Sequence, residues 1–532
     1  CVDQIRDRLN TYHFLGHPTD KLEVIVLGGT WSSYPIAYRR EFIRDIYYSA
    51  NTFNAHCKSI TNRNINVRDK NSLEEEMKIN QTSNSRIIGL TVETRPDCIN
   101  MKELIEFRRL GVTRVQLGVQ HTNDRILKRI NRRCNSLHTV KAIKMLKDNG
   151  FKVDIHIMPN LPKPLKEGVN HNKLEFTLDD IDNSIDMVEE DRKMFDKFLF
   201  HPDYSADQWK IYPCEVVPWT RLKEEYERGV YKPYADQKSR KWNRLHELLV
   251  DVKSKVPRWI RLNRIIRDIP REYIIGGPND GSMRQYLQQE MKKKGLTCKC
   301  IRCREVKKQK VDISSAKLFV EEYDASGGTE YFLSFETPDR KILFGFLRLR
   351  LTKLSGRYKI CGRTRTIFDE LVDCALIREL HVYGQTTSVN KDDDKGYQHK
   401  GLGTKLIRKA IDITKNNNFT KIAVISGEGV KKYYEKFGFK NEKYYMTLVL
   451  SNNSWSEYIN QKIMKFILVI YLFINTLYNK MLYRMEDCQI FTDVLKDTNR
   501  LKKRVHYDES HNVDDIDDID YENVELVKTI ET

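Results

Sequence analysis

Short apolar segments alternate with amphipathic helical segments through roughly the first 300 residues. Each apolar segment is rich in Val, Ile and Leu and too short for a helix, so each predicts a buried strand. These strands are Leu22–Gly29, Arg86–Glu93, Arg114–Gln120, Lys152–Met158 and Gln208–Tyr212. Helical patterns lie between them, at Tyr38–Ala50, Asn100–Leu110, Ser136–Asn149 and in a broken stretch from Leu178. The alternation predicts βαβ units and an α/β fold with a parallel sheet, either open or closed into a barrel.

Polar and glycine residues follow the predicted strands. In parallel sheets of this kind, ligands bind at the carboxyl ends of the strands. The residues that the sequence places there are Gly28, Gly29, Thr30, Glu93, Arg95, Gln120, Asn160 and Tyr212.

A different pattern begins near Arg304. Predicted strands joined by turns follow one another at Leu318–Tyr323, Thr329–Glu336, Ile342–Leu351 and Ala375–Tyr383. A helix at Gly401–Lys415, a strand at Lys421–Ser426 and a helix at Val430–Phe437 come next. Antiparallel strands followed by helix, strand and helix predict an α+β domain.

The predicted domains are 1–297, a cysteine-rich linker at 298–314, the α+β domain at 315–450 and an extension at 451–532. The extension contains an apolar run, Met464–Tyr478, that is shorter than the ~20 residues of a membrane-spanning helix. We interpret it as a docking helix or a spurious extension. The acidic stretch from Asp508 to Glu531 predicts a disordered tail.

The charge balance suggests a polyanionic partner. The chain has 532 residues, a net charge of +18 and a mean hydropathy of −0.60, which excludes a polytopic membrane protein. Basic stretches lie between Lys238 and Lys310, and arginines recur every three residues with Trp259 interleaved. This spacing favours a phosphate-binding face for RNA, and a solvated charged face is the alternative. The arginines are Arg258, Arg261, Arg264 and Arg267.

Of the eleven cysteines, Cys298, Cys300 and Cys303 are closely spaced and the others are scattered. Scattered cysteines are not a secreted disulfide framework, so we predict a reducing compartment, the cytoplasm, with the nucleus as an alternative. Three thiolates within six residues suit a structural zinc ion, although the sequence identifies no fourth ligand. Three free thiols are the alternative.

The segment Gln398–Gly403 carries a Q-x-x-G-x-G pattern at the start of a predicted helix. Such a turn presents backbone N–H groups and the helix dipole to an anion, and its glycines let a pyrophosphate approach. A strand precedes it, and Lys421–Ser426 and the pair Tyr433 and Tyr434 follow it. This context predicts acyl-CoA binding.

Several strings together resemble one known family. IREL, YQHKGLGTKL and IAVISGEGVKKYYEKFGF resemble the GNAT acetyltransferase domain of the elongator catalytic subunit (elongator protein three). LGHPTDKLEVIVLGGT, GLTVETRPD, TRVQLGVQ and WKIYP resemble the radical-SAM domain of the same family, a partial TIM-like barrel. The resemblance covers roughly residues 1–450.

The resemblance implies a role for particular residues in acetyl-CoA binding. The coenzyme is expected along the strand Glu379–Val382, with its pyrophosphate at Leu402, Gly403 and Thr404. Tyr434 matches a family tyrosine near the thioester, and Lys21 matches a lysine that reaches the acetyl-CoA, so both are candidate catalytic residues. The strand residues are Glu379, Leu380, His381 and Val382.

For S-adenosylmethionine, the resemblance and the strand-end positions indicate Gly28, Gly29, Glu93 and Gln120. An internal salt bridge between Glu93 and Arg95 is the alternative for that glutamate. The family holds a four-iron four-sulfur cluster with three cysteines that lie upstream of the segment beginning at Cys1. We therefore expect either a chain truncated at its N-terminus or a protein that has lost radical chemistry.

The implied reaction adds a carboxymethyl group to C5 of the wobble uridine of tRNA. A radical from S-adenosylmethionine abstracts hydrogen from the acetyl methyl of acetyl-CoA, the carbon radical attacks the base, and water releases CoA. A protein lysine acetyltransferase with Glu379 or His381 as the base is one alternative, and a tRNA-binding scaffold without the cluster is another. Family members act alone or with elongator-type subunits, and the sequence leaves the oligomeric state open.

Overall fold

A computed structural model describes residues 1–61, 67–236, 243–267, 269–307, 311–360, 362–383, 401–450 and 524–528. The residues Gln398, His399 and Lys400 of the predicted coenzyme turn lie outside these ranges, as does the apolar run Met464–Tyr478. No helix in these ranges is long and apolar enough to cross a membrane.

The first half contains a six-stranded parallel sheet in the order β1 to β6, which confirms the predicted βαβ architecture and its half-barrel form. Its central strands are buried on both faces, which explains their nearly continuous apolar sequence. The strands are β1 (Lys21–Val26), β2 (Arg86–Thr94), β3 (Arg114–Gln120), β4 (Lys152–Ile157), β5 (Gln208–Ile211) and β6 (Arg261–Arg264).

Helices connect these strands. The helix that follows β1 runs from Ile36 to Thr61, well past the predicted end at Ala50. The helices are α1 (Val2–Phe14), α2 (Ile36–Thr61), α3 (Leu73–Asn80), α4 (Met101–Arg109), α5 (Asp124–Arg129), α6 (Ser136–Asp148), α7 (Met187–Phe200), α8 (Arg221–Glu227), α9 (Asn243–Lys255), α10 (Met283–Lys293) and α11 (Ile301–Arg304).

The second half is an eight-stranded sheet in the order β14-β15-β13-β12-β9-β8-β7-β16, with the 15-residue helix α12 packed on it. The strands are β7 (Lys317–Ala325), β8 (Gly328–Glu336), β9 (Leu343–Leu351), β12 (Cys374–Val382), β13 (Lys421–Val424), β14 (Lys440–Asn441), β15 (Met446–Val449) and β16 (Val524–Lys528). The helices are α12 (Leu402–Asn416) and α13 (Lys431–Glu435), and an unpredicted hairpin, β10 (Arg357–Ile360) and β11 (Arg363–Thr366), stands apart from the sheet.

Strand β16 corrects the prediction for the C-terminal tail. Val524–Lys528 lie inside the acidic stretch for which the sequence predicts disorder, yet they pair in parallel with β7 from Leu318 to Glu322. The apolar residues Val524, Leu526 and Val527 provide the strand propensity that a count of acidic residues overlooks.

Buried ion pairs join the two halves. Arg378 on β12 binds Asp207, which precedes β5, through Nη1–Oδ2 at 2.8 Å and Nη2–Oδ1 at 2.5 Å. Arg350 on β9 binds Asp148 at the end of α6 at 2.5 Å. Asp207 and the three arginines Arg348, Arg350 and Arg378 are fully buried. Because removing either partner leaves an uncompensated buried charge, these contacts fix how the two halves are placed.

Candidate functional site

A cavity of about 750 Å³ is lined by residues along the whole length of the barrel strands, from Glu23 and Arg114 near their amino ends to Gly28 and Gln120 at their carboxyl ends. One wall comes from the barrel half, and the opposite wall comes from β12 and β9 of the second half. We call this space the main cavity. Residues from the barrel that line it include Glu23, Gly28, Gly29, Glu93, Gln116, Gln120, His156, Lys210, Tyr212, Glu215, Arg264 and Arg267, and those from the second half are Phe346, Glu379, His381 and Tyr383.

Gly28 and Gly29 form the turn after β1 and reach the main cavity as the sequence predicts. Their φ angles are 116° and 59°, in the left-handed region that favours glycine. A Cβ built on either would meet no atom within 4 Å, so backbone conformation rather than crowding requires glycine here. The open space over the turn fits a ligand that approaches the backbone closely.

Glu93 and Gln120 also line the main cavity. Glu93 lies 3.3 Å from His156 Nδ1, whereas Arg95 pairs with Asp97 at 2.6 Å, so the structure does not form the alternative Glu93–Arg95 bridge. Burial disfavours the ionised form of Glu93, but the bond to His156 and the charge of Lys210 outweigh it and lower its pKa. Gln120 has a φ of 72°, and its buried Oε1 has no hydrogen-bond partner in the described part of the chain. Both side chains are thus available to a polar ligand such as S-adenosylmethionine.

The predicted coenzyme strand is the part of β12 that is no longer paired with β13. The parallel register between β12 and β13 ends at the Ile377–Val424 pair, although β12 continues to Val382. Its side chains alternate: Leu380 and Val382 pack toward the core of the second half, and Glu379 and His381 line the main cavity. The separation of β12 from β13 gives a coenzyme a backbone edge to bind along.

The coenzyme turn meets α12 in the geometry the sequence predicts. Gly401 has a φ of 73° and precedes the first residue of α12, Leu402. A Cβ on Gly403 would collide with the hydroxyl of Tyr433. These two glycines therefore fit an anion-binding turn at a helix N-terminus, with Thr404 in its first turn.

Tyr434, the candidate near the thioester, is buried in the core of the second half against Phe439 and Tyr433. Burial, assisted by the nearby Tyr433, raises the pKa of its hydroxyl well above the usual range, so it stays protonated at neutral pH. Tyr433 packs on Phe437 as the sequence suggests for a helix-face residue. A protonated phenol can donate a hydrogen bond and is a poor base.

Lys21 opens β1, and strand alternation places it on the same face as Glu23, Ile25 and Leu27, which line the main cavity. The lining itself begins at Glu23, which pairs with Arg114. Lys21 thus lies two residues before Glu23, on the same face of β1. Its contact with acetyl-CoA stays a prediction.

Glu379 forms one ion pair within the second half, with Arg348, and one with Lys152 of the barrel half. Arg348 Nε donates to its carboxylate at 2.9 Å, and Lys152 Nζ lies 3.9 Å away. Burial opposes ionisation, but Lys152 and Arg348 outweigh it and lower the pKa of Glu379 to about 2. Burial lowers the pKa of His381, which keeps the imidazole neutral. Glu379 is therefore a poor general base for an incoming amine.

Three of the four arginines of the predicted RNA face, Arg261, Arg264 and Arg267, line the main cavity, and Arg258 does not. Arg261–Arg264 form β6, a strand that sequence spacing alone does not indicate. Arg258 lies 3.7 Å from Glu321, and Arg261 binds Glu305 at 2.8 Å and the Tyr383 hydroxyl at 2.9 Å. Arg264 and Arg267 are exposed and line the main cavity. Two of the four thus reach solvent at this cavity.

Cys298, Cys300 and Cys303 bring their sulfur atoms within 4.8 Å of one another. Cys300 is fully buried, and its neighbour Ile301 is bound through backbone to Ile260 just before β6. Hydrogen bonds from the other two thiols and the nearby cations Lys253 and Arg284 lower the pKa of Cys303 despite burial. Three converging thiol groups, one of them readily ionised, fit a metal ion.

The described walls of the main cavity offer no set of cysteines for a four-iron cluster. Such clusters are held by cysteine thiolates. Among the described residues, the Cys298, Cys300 and Cys303 group is the one set of three metal-binding side chains close enough to hold an ion, and none of the three lines the main cavity.

Family models match three parts of the chain. The radical SAM superfamily matches residues 21–168, the radical SAM C-terminal domain matches 206–293, and the acetyltransferase (GNAT) family matches 368–439. The protein is therefore a radical-SAM half-barrel joined to a GNAT domain, a class whose cofactors are S-adenosylmethionine, an iron–sulfur cluster and acetyl-CoA.

Relatives narrow this class to one family. A tRNA uridine(34) acetyltransferase of Methanocaldococcus infernus is 38% identical over 451 residues, covering 83% of this chain and 74% of the relative. Elongator complex protein 3 of Schizosaccharomyces pombe is 35% identical, covering 84% and 73%. The solved structure of the M. infernus Elp3 with an N-terminal deletion has a TM-score of 0.69 at 37% identity, covering 84% of this chain and 94% of that one. The chain belongs to the Elp3 family, which confirms the family suggested by the sequence.

Two features of the site escaped the sequence analysis. Side chains along β12 alternate between its two faces, and this period of two is visible in the sequence. It could have shown that Glu379 and His381 share a face. Glu215 lines the main cavity three residues after Tyr212, the predicted end of the strand, and no sequence signal indicated it.

Proposed function

We propose that this chain modifies uridine 34 of tRNA, with acetyl-CoA as the carbon donor and S-adenosylmethionine as the second cofactor. One observation supports this most strongly. The Gly28–Gly29 turn and the coenzyme-strand residues Glu379 and His381 line the same cavity. A protein that only transferred acetyl groups would have no need for its coenzyme strand to face the ends of a radical-SAM sheet.

The residues of the chain would bind and orient both cofactors. The left-handed Gly28–Gly29 turn, Glu93 and Gln120 would hold S-adenosylmethionine, which supplies a radical when activated. The β12 edge and the Gly401–Gly403 turn would hold acetyl-CoA. Tyr434, kept protonated by burial, would donate a hydrogen bond near the thioester, and Lys21 would extend toward the acetyl end.

Arg264 and Arg267 are exposed on the main cavity and would receive the tRNA backbone. Relatives carry the name tRNA uridine(34) acetyltransferase, and others are named Elongator complex protein 3. An assembly with elongator-type subunits is consistent with the second name. A zinc ion would be held by the group of Cys298, Cys300 and Cys303. Because this group lies off the main cavity, the ion would have a structural role and fix α10 and α11 against β6.

A protein lysine acetyltransferase is the second candidate. Direct transfer needs a base to deprotonate the amine. Glu379 is held ionised by Lys152 and Arg348, and its carboxylate is already bonded. Glu379 is thus unsuited to this role, so lysine acetylation would depend on His381 as the base.

The test follows the acetyl carbons. The purified chain, reconstituted with iron and sulfide, is incubated with acetyl-labelled acetyl-CoA, S-adenosylmethionine, tRNA and a lysine-rich peptide, and both products are digested for mass spectrometry. Label on uridine 34 supports the proposal, and label on lysine supports the second candidate. Tight tRNA binding with label in neither product would favour a binding scaffold.

A further inference from the structure

Glu215 is a buried carboxyl without a hydrogen-bond partner among the residues that the structure describes. In the described part of the chain, neither Oε1 nor Oε2 has a hydrogen-bond partner, although both are shielded from solvent. Burial raises the pKa of Glu215 to about 7, and the charge of Arg267 lowers it only in part. An orphaned buried carboxyl is costly, so it requires an explanation beyond packing.

The backbone around Glu215 is fixed on both sides. Cys214 N donates to Pro159 O at 2.8 Å, and Val216 N donates to Gly276 O at 2.8 Å. A Cβ on Gly277 would collide with Cys214 O, so the facing loop approaches this segment closely. The backbone that carries the Glu215 side chain is therefore held in place, which suits a recognition group.

Glu215 also stands between two cavities. A second space of about 330 Å³, the side cavity, shares Glu215, Arg267 and Ile269 with the main cavity. Its wall is largely apolar, and its polar residues besides Glu215 are the exposed Arg267 and Arg271 together with Asn279 and Asp280. The side-cavity residues used below are Ile266, Ile269, Ile274, Arg267 and Arg271.

These features match a nucleotide whose base has an N–H on its edge. A carboxylate accepts from such a donor, apolar side chains contact the faces of the ring, and guanidinium groups bind the adjoining phosphates. Uracil has a donor at N3, whereas cytosine has an acceptor there. Because N3 and C5 lie on different edges of the ring, a base held through N3 can direct C5 into the main cavity.

We propose that the target uracil binds at the junction of the two cavities and that Glu215 accepts a hydrogen bond from its N3–H. Ile266, Ile269 and Ile274 contact the ring, and Arg267 and Arg271 bind the flanking phosphates. Glu215 is then a specificity-determining residue that distinguishes uridine from cytidine. The inference rests on the proposed function, since it assigns the substrate base to the same cavity.

The ammonium group of S-adenosylmethionine is a competing partner for the carboxylate. Glu93 and the Gly28–Gly29 turn already provide a polar site for that cofactor on another part of the wall. The side cavity, by contrast, has two arginines beside Asn279 and Asp280, and the positive charges of these arginines oppose an ammonium group there. Measuring the affinity of the protein for S-adenosylmethionine and for the RNAs decides between these two partners.

The experiment compares anticodon stem-loop RNAs that carry uridine, cytidine or 3-methyluridine at position 34. Fluorescence anisotropy measures their affinity for the parent protein, for Glu215→Gln and for Glu227→Gln. Glu227 is an exposed control carboxyl paired with Lys223 on α8. We expect the parent and the control to prefer the uridine RNA by about tenfold over both others, the scale of one hydrogen bond to a charged acceptor. Glu215→Gln should lose most of this preference, since its amide also donates to cytosine N3.

Equal affinity of the parent for the three RNAs would overturn the role of Glu215 while leaving tRNA binding intact. Because the comparison with the 3-methyluridine RNA uses the parent protein, its result does not depend on whether the Glu215→Gln variant folds. A Glu215→Gln variant that loses affinity for S-adenosylmethionine in calorimetry, yet keeps the uridine preference, would assign the carboxyl to the cofactor instead. A parent protein that binds none of the RNAs would overturn the proposed function, and this inference with it.

Discussion

Arg378 and Asp207 form a bidentate, fully buried ion pair that links β12 of the GNAT half to the start of β5 in the half-barrel. Asp207 also accepts from Val153 N at 2.8 Å, and Lys147 Nζ lies 3.8 Å from it. The pair lies one residue before Glu379, so it sets the position of the coenzyme strand against the radical-SAM sheet. We expect this ion pair to contribute most to holding the two halves together.

The replacement Asp207→Asn tests the contribution of this ion pair. It keeps the volume of the side chain but removes one of the carboxylates that Arg378, Arg348 and Lys147 share with Glu330 and Glu379, which leaves one buried positive charge in excess. The free energy of unfolding should fall by about 3–5 kcal/mol, measured by chemical denaturation. The exposed control Glu227→Gln, which breaks a surface pair, should cost about 0–1 kcal/mol. Equal small losses would show that the buried pair is not what holds the halves.

The coenzyme turn can be tested with matched glycine replacements. Gly401→Val should weaken acetyl-CoA binding at least tenfold in calorimetry, because a side chain at its φ of 73° costs about 1–3 kcal/mol and obstructs the turn. Gly16 is the control, because it has a φ of 74° and equally open surroundings but follows α1. Gly16→Val should leave the affinity unchanged. An unaltered affinity in Gly401→Val would rule out this turn as the pyrophosphate site.

Metal analysis checks the cysteine group. Purified protein should contain about one zinc per chain, and the triple replacement of Cys298, Cys300 and Cys303 by serine should lose it. Cys98→Ser, at a cysteine outside the group, is the control and should retain the metal. Iron in place of zinc would show that the group holds a different centre, and a metal-free folded protein would show three simple thiols.

Charge reversal at the cavity edge tests the RNA surface. Arg264→Glu with Arg267→Glu should weaken tRNA binding by about 1–3 kcal/mol and flatten its dependence on salt, because phosphate contacts release counterions. Arg365→Glu, on the exposed strand β11, serves as the control. Arg261 is unsuitable, because its bonds to Glu305 and Tyr383 are structural. A double variant that binds tRNA as tightly as Arg365→Glu at every salt concentration would move the RNA surface elsewhere.

The raised pKa of Glu215 predicts a pH effect on base discrimination. Below pH 7 the carboxyl is mostly protonated, and above pH 7 it is mostly ionised and a stronger acceptor. The ratio of uridine to cytidine stem-loop affinities should therefore rise between pH 6 and pH 8. Because the ratio cancels the general repulsion between a carboxylate and phosphate, it isolates the base contact. A ratio that stays flat in the parent protein, or that rises equally in Glu215→Gln, would contradict the assignment.

The sequence by itself determined the class of fold, the family and the ends of most strands. Strand β3 begins and ends where the apolar pattern does, and Gly28, Gly29 and Gly401 occupy left-handed turns that glycine makes accessible. These features are local: they depend on the period of the hydrophobic pattern and on backbone sterics, which a few neighbouring residues set. The resemblance to the family also depends on short strings that keep their order.

Only the tertiary structure decided which of those residues share a cavity. Arg258, Arg261, Arg264 and Arg267 are evenly spaced in sequence, but Arg258 and Arg261 pair with Glu321 and Glu305, whereas Arg264 and Arg267 are exposed at the main cavity, which Arg261 also lines. Glu379 looked available as a base until the fold brought Arg348 and Lys152 against it, and Glu215 became notable only when both its oxygens proved buried without partners. Burial and charge pairing arise from segments hundreds of residues apart, so no local pattern records them.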